Sequence, residues 1–447
     1  MSSSHNGTDL LIAAHSAELS GGAEVALLSM LDYLDKEGVS IHVVSPYDGD
    51  FTRSLRKTLP KVSISYTPQP WWVLGKADPA DFKFTNDDYT SNVLVGMIST
   101  IRKMKPRMCM TNTIAAPWMA YAAALTNLPH VWFLHELALD FKTFLSWEET
   151  VRTIDELSDK IFCNSKYTAS FYANQFIFND YPGIVYPLTK KRIPDKNMKT
   201  PFINKNNKFI MVGSIIERKG QEDAVVAIKL LRERGIDAEL SIIGAPLDNG
   251  YYEHLRQYIE TEKLNDRIHF LGVVKNPASY IQYADAMLMC SEAEAFGLVT
   301  VEAMQLGKPV IGADDAGTSE IVSNRKNGLL YKLRDANDLA NKMRELIEDP
   351  KLSKKLSTYA AKDVAARFSP ENCYRDFLKY IRTAPKKRNS LALSPLLSVV
   401  NDYEAMLSGT KKTLAEKDAV IDKQQNKIEK INSHPVVRAY TVIKKFM

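Results

Sequence analysis

Two glutamates separated by seven residues, Glu294 and Glu302, stand in the run SEAEAFGLVTVEAM, just after the apolar segment AMLMC. An ionised carboxylate accepts hydrogen bonds from two adjacent hydroxyls, so such a pair suits a sugar and a ribose. Glu294 falls in a loop, and Glu302 on the second turn of the helix expected to begin after Phe296 and Gly297. The first N–H groups of that helix lack intrahelical partners and lie at the positive end of its dipole, which attracts phosphate. Gly297 is expected to let the backbone approach closely. The plainer reading is two surface glutamates on an ordinary helix.

A second stretch, VGSIIERKGQ, places Arg218 and Lys219 where a strand ends and, with Gly220, the next helix starts. Arginine offers a fork to phosphate oxygens and lysine a point charge, together suited to a departing diphosphate; the alternative is a basic loop. In AGTSEIV, Gly317 and Thr318 occupy another strand-to-helix turn whose backbone and hydroxyl groups can meet phosphate, while Glu320 is assigned to the helix. SAELSGGAE sets Gly21 and Gly22 directly after the first strand; it is no G-x-G-x-x-G fingerprint, so it reads as a close-approach loop and not as a nicotinamide site. VWFLHEL puts His135 and Glu136 at the end of an apolar strand. His135 either contacts a sugar or shuttles a proton, its ordinary pKa being near neutrality, or is hydrogen-bonded within an interdomain wall. The other seven histidines carry no such placement and are assigned nothing.

These motifs need strand ends to hold them. Residues before 188 alternate short apolar runs (LLIAAHS, IHVVSP, RMCMTN, HVWFLHE, KIFCNS, GIVYP) with helix-like stretches, the pattern of a parallel sheet wrapped on both faces. The polar stretch LTKKRIPDKNMKTPFINKNN reads as a linker, after which KFIMVGS, AELSIIG, RIHFLG, AMLMCS, PVIGAD and GLLY repeat the pattern. Ligands bind beyond the carboxyl ends of such strands, where the motifs fall. The expected division is a first domain over 8–187, a linker over 188–207, a second domain over 208–367, a closing helix over 368–385 and a basic helical tail over 386–447.

The chain has 447 residues, too many for one core at ~100–200 residues per domain. No apolar run approaches the ~18 residues of a membrane span, and the start MSSSHNGTDLLIAAHS has no basic leader, so a cytoplasmic location is expected. Four scattered cysteines without C-x-x-C spacing suggest neither disulfides nor zinc. The tail carries 12 Lys/Arg against 6 Asp/Glu, so the +5 net charge leaves the rest of the chain near neutral, unlike a nucleic-acid binder. Within the tail Leu407, Leu414, Ile421 and Ile428 recur every seven residues, half of a coiled-coil seam, read as a homodimer contact or as a solvated helix. The segment SHPVVRAYTVIKKFM, with Val436, Tyr440, Ile443 and Met447 on one face and Arg438, Lys444 and Lys445 beside them, suits peripheral contact with a membrane or docking on the globular body.

Taken in order, SGGAE, FLHE, CNSKYTASF, GSIIERKGQ, SEAEAFGLVTVEAM, LGKPVI and AGTSEIV resemble the family 4 retaining glycosyltransferases over residues 8–383. The resemblance implies an α/β protein of GT-B fold, two Rossmann-like doubly wound domains facing across a cleft, with the helical tail outside the pattern. It implies transfer of a sugar from a nucleotide diphosphate sugar to a hydroxyl of a glycan or lipid-linked glycan, with retention; because the motifs hold neither an Asp-x-Asp cluster nor a Cys/His cage, activity without a metal or resident cofactor is expected. It further implies that Glu302 engages the ribose and Glu294 the donor sugar, and that Arg218 and Lys219 hold the diphosphate. Backbone near Gly297, Leu298 and Thr318 would assist, with Gly22 and His135 closing over the donor. Glu136 departs from the aspartate many members carry after the histidine. Surface polysaccharide assembly at the inner face of a membrane is the expected setting. The competing expectation is a catalytically silent subunit acting through its tail. Trp71 and Trp72, in a first-domain loop where acceptor contacts are expected, either stack on a sugar ring or pack inward.

Overall fold

The computed structural model describes residues 7–19, 21–75, 87–137, 142–143, 146–176, 181–188, 193–195, 198, 200–202 and 207–384. The heptad and amphipathic readings of the tail lie outside the described residues. The described residues form two compact units, one within 7–164, 169–185 and 374–384, the other within 165–168 and 186–373.

In chain order the first unit and its flanking helices comprise β1 (Leu10–Ala13), α1 (Gly22–Lys36), β2 (Ile41–Ser45), α2 (Asp50–Thr58), β3 (Ser63–Tyr66), β4 (Val73–Gly75), α3 (Asp87–Met104), β5 (Met108–Thr111), α4 (Trp118–Leu125), β6 (His130–Leu134), β7 (Lys142–Thr143), α5 (Trp147–Leu157), β8 (Lys160–Cys163), α6 (Lys166–Ala173) and β9 (Gly183–Ile184). Seven strands make a parallel sheet in the order β3-β2-β1-β5-β6-β8-β9, and β4 pairs antiparallel with β7. The central strands LLIA, MCMT and HVWFL are buried along their whole length, as strands covered on both faces must be. Trp72 and Trp132 stack 6.1 Å apart within this unit's core.

The second unit holds β10 (Lys208–Val212), a 3-10 turn (Glu217–Lys219), α7 (Gln221–Glu233), β11 (Glu239–Ile243), α8 (Asn249–Thr261), β12 (Ile268–Gly272), α9 (Ala278–Ile281), β13 (Ala286–Met289), α10 (Leu298–Gln305), β14 (Val310–Ala313), α11 (Ala316–Ile321), β15 (Leu329–Tyr331), α12 (Ala336–Glu348) and α13 (Pro350–Arg367). Its six parallel strands run β12-β11-β10-β13-β14-β15, so strand order reverses between β10 and β13. A crevice opens at such a reversal, because successive connections leave it on opposite sides.

The last helix, α14 (Pro370–Thr383), carries Tyr374, Phe377 and Ile381 at the spacing of one helical face, and all three are buried. Phe377 packs edge-on to Phe162 at 5.2 Å, Tyr374 lies 5.6 Å from Tyr33, and Arg382 donates to the Glu37 carbonyl at 2.9 Å, so this helix packs on the first unit. All four cysteines are free and buried. Among the described residues no helix is long and apolar enough to cross a membrane.

Candidate functional site

The reversal between β10 and β13 explains why two motifs 75 residues apart meet. After β10 the chain makes the 3-10 turn carrying Arg218 and Lys219 and closes it at Gly220, whose φ is +66°. A Cβ on Gly220 would stand 2.3 Å from the Cys290 carbonyl oxygen, so only glycine lets this turn lie against the end of β13. Lys219 Nζ then reaches Glu294 Oε2 at 2.6 Å. Arg218 Nη1 donates to the carbonyls of Glu292 (3.3 Å) and Ala293 (3.5 Å), and its own carbonyl accepts from the Glu292 N–H at 2.8 Å.

Burial alone would push the Glu294 carboxyl up, but Lys219 and Arg218 beside it outweigh that and hold it below the usual carboxylate range. The loop that presents it is braced: the Ala293 N–H donates to Asp315 Oδ2 at 2.6 Å, and the Gly317 N–H to the Glu294 carbonyl at 2.8 Å. Ala293 takes a left-handed φ of +48°. Such a conformation costs ~1–3 kcal/mol in a non-glycine residue and survives only where its surroundings impose it.

Gly297 caps α10 with φ +96° and no side-chain hydrogen bond, and Leu298 is the helix's first residue. A Cβ at Gly297 would find its nearest neighbour, Thr300 Oγ1, at 3.3 Å. Within the protein the glycine is therefore required chiefly by its dihedral. Glu302 sits one turn further on and is 6% exposed. Thr318 is fully buried inside α11 and not in an open turn, and its hydroxyl has no hydrogen-bond partner, as is true of Thr300. Glu320 lies in α11 as expected, accepting from the Tyr186 hydroxyl at 2.6 Å and the Lys166 N–H at 2.9 Å. Among the described residues no cluster of acidic, histidine or cysteine side chains could hold a metal.

Gly22 and His135 belong to the first unit. Gly22 opens α1 behind the N-cap Gly21, which has no side-chain cap. His135 is 8% exposed, with Nε2 hydrogen-bonded to Asn112 Oδ1 at 3.1 Å and its ring 4.0 Å from that of Phe133. Burial pulls its pKa to about 3, so the ring is neutral at physiological pH, unlike a proton shuttle poised near 7. Its neighbour Glu136 is buried as well and accepts from Thr113 Oγ1 (2.9 Å) and the N–H groups of Ile114 and His135 (3.2 Å each). Burial raises its pKa, while those donors oppose the rise.

Besides Asp315, sequence reasoning missed three groups, two in the first unit and one in the second. His15 Nε2 lies 3.1 Å from Glu24 Oε1, the histidine pulled down to about 4 and the glutamate pushed up to about 7 by burial, so neither charge is favoured there. Nothing local marked His15; Glu24 offered the one signal, an acidic residue in the helix turn after Gly21 and Gly22. Arg334 was also missed. It adopts a left-handed φ of +62°, donating to Glu292 Oε2 at 2.9 Å and to the Glu217 carbonyl at 3.3 Å.

Two family models match the chain, glycosyltransferase family 4 over residues 20–182 and glycosyl transferases group 1 over residues 193–363. An uncharacterized glycosyltransferase of Methanocaldococcus jannaschii is 30% identical over 267 residues, 58% of this chain and 70% of that protein. The capsular polysaccharide biosynthesis glycosyltransferase CapM of Staphylococcus aureus is 26% identical over 206 residues, 43% of this chain and 52% of the relative. Among solved structures, Anabaena HepE in complex with UDP superposes with a TM-score of 0.67 at 20% identity, covering 84% of this chain and 99% of that one. With two doubly wound sheets, the ordered motifs brought to the strand ends and both family models matched, the chain belongs to the group 1 glycosyltransferases of the family 4 type, enzymes of GT-B fold.

Proposed function

We propose that this glycosyltransferase takes its sugar from a nucleotide diphosphate sugar and transfers it with retention, without a divalent metal, to a glycan or lipid-linked glycan. The observation that carries the reading is the Lys219–Glu294 pair at 2.6 Å, with Arg218 beside it, ahead of the uncapped start of α10. Two cations and a helix N-terminus are what a leaving diphosphate needs. In the reaction the bond from the anomeric carbon to the diphosphate breaks, the acceptor oxygen bonds to that carbon from the same face, and its proton passes to a diphosphate oxygen. Glu294 orients the donor sugar and Glu302 the ribose, while the backbone at Gly297 and Leu298 and the region of Thr318 meet the phosphates. Arg218 and Lys219 supply the positive charge a metal ion would otherwise bring. UDP, held by the HepE structure, is the first nucleotide to try. The CapM relative favours surface polysaccharide or glycoconjugate assembly as the setting.

The test is thermal unfolding of wild type and Glu302→Ala against nucleotide diphosphates and their sugars, with chelator present. A ligand at about 100 times its Kd stabilises by ~2.7 kcal/mol, so one nucleotide should raise the wild-type Tm and spare the variant. Binding or turnover that collapses on chelation and returns with manganese would overturn the metal-free step, and an inverted anomeric product the retention.

A further inference from the structure

The first unit contains a cavity of about 460 Å³ lined by His15, Ser16, Tyr47, Gln69, Trp71 and three prolines. These residues follow β1, β2 and β3, three adjacent strands, so the cavity opens on the carboxyl edge of the sheet, where ligands of such sheets bind.

Its walls are fixed before any ligand arrives. Gln69 Nε2 donates to the Ala14 carbonyl at 3.0 Å and the Val44 carbonyl at 3.1 Å, pinning the segment after β3 to the ends of the other two strands. Trp72 is fully buried, its indole N–H donating to the Ile114 carbonyl and its backbone N–H to Ala115 O at 2.9 Å. That anchor turns the neighbouring Trp71 outward. Trp71 is 46% exposed, held by a hydrogen bond from its indole N–H to the His15 carbonyl at 3.2 Å and by the His15 ring 5.4 Å away. Tyr47 is 52% exposed on the same cavity. The prolines add stiffness through their locked φ.

The chemistry of the lining selects among ligands. Among the described residues it contains no lysine or arginine, so a phosphate or carboxylate would meet no counter-charge from them. Burial keeps His15 neutral, which removes the one remaining cation. Aliphatic side chains, which a lipid tail would want, are absent too among the described lining residues. What remains is two accessible aromatic faces with hydroxyl, amide and imidazole groups around them. That combination matches a pyranose, whose axial C–H face is apolar and whose rim is hydroxylated.

We propose that this cavity is the acceptor subsite and takes an uncharged pyranose ring stacked on Trp71, so that the acceptor ends in a sugar. The inference rests on the glycosyltransferase reading but not on the identity of the donor. The test is saturation-transfer NMR on the full chain with methyl glycosides of glucose, galactose, mannose, N-acetylglucosamine and N-acetylgalactosamine, and with malate and glycerol 3-phosphate as charged, ring-free probes. At least one glycoside should take up saturation on its ring C–H protons, with Trp71→Phe binding within about threefold of wild type and Trp71→Ala at least about fivefold weaker. UDP-induced stabilisation should be equal in all three proteins, which also reports that the variants are folded. No glycoside bound by wild type, equal binding by Trp71→Ala, or preference for either charged probe would overturn the proposal. Failure of UDP and every other nucleotide to bind while glycosides do would strike the donor reading alone.

Discussion

Lys219 Nζ and Glu294 Oε2 lie 2.6 Å apart, so the cation proposed to hold the diphosphate is neutralised by the carboxylate proposed to orient the sugar. The pair keeps two largely buried charges satisfied in the free protein. On the proposed reading a bound diphosphate sugar must share Lys219 with Glu294 or draw it away. Lys219→Ala is expected to lower kcat by about 10²–10³-fold, the loss seen when one charge-stabilising donor is removed. Initial rates at saturating donor check it, and wild-type turnover would refute the role.

Gly220→Ala probes the close approach that brings the pair together. The added methyl meets the Cys290 carbonyl in a left-handed conformation, so a loss of about 1–3 kcal/mol or more in unfolding free energy is expected. Nucleotide binding should weaken with it, because Lys219 is moved off Glu294. Denaturant titration measures the first effect and nucleotide titration the second.

Arg334 separates positioning from stability. Its left-handed φ costs an arginine about 1–2 kcal/mol, while its partly exposed bridge to Glu292 returns about that or less. Arg334→Gly is therefore expected to unfold at an equal or higher temperature. It also frees Glu292 and the Glu217 carbonyl, loosening both loops around Arg218, so nucleotide affinity should fall about threefold to tenfold. A variant with weaker binding and an unchanged or raised Tm is the expected signature; equal affinity would remove Arg334 from the site.

His135 predicts a pH dependence. Its pKa of about 3 in the folded chain lies well below the ordinary 6.5. The unfolded chain binds that proton as pH falls through 6.5 while the folded chain does not, so the stabilising contribution is full above 6.5 and is lost on the way down to about 3. Glu24, pushed up to about 7, acts in the opposite sense between 4.5 and 7, so the comparison must be with a variant. The stability of His135→Gln relative to wild type should improve steadily between pH 6.5 and 4, measured by denaturant unfolding. Parallel curves would show that the ring titrates normally.

Much of this was legible in the residues. Strands such as LLIA, HVWFL and AMLM are continuous apolar runs because both faces of a parallel sheet are covered, and that alone announces them. The edge strand β3, SISY, is partly exposed and polar, so it sends no such signal and was passed over. Glu294, Glu302, Arg218, Lys219 and Gly297 can be singled out as candidates from sequence because loop-to-helix chemistry needs specific residue types at short spacing. His15, Glu24, Asp315 and Arg334 were not, since their partners lie across loops that only the folded chain brings near.

The amino-acid sequence by itself determined the two sheets, the family and the residue types at the strand ends, all of which are local properties of short segments. Tertiary structure alone decided which neighbour of a pair does what. Trp72 goes into the core and Trp71 onto the cavity, though nothing distinguishes the two indoles along the chain. Lys219 meets Glu294 only because strand order reverses between β10 and β13. Burial, which depends on everything packed around a group, sets His135 neutral while charge neighbours keep Glu294 ionised.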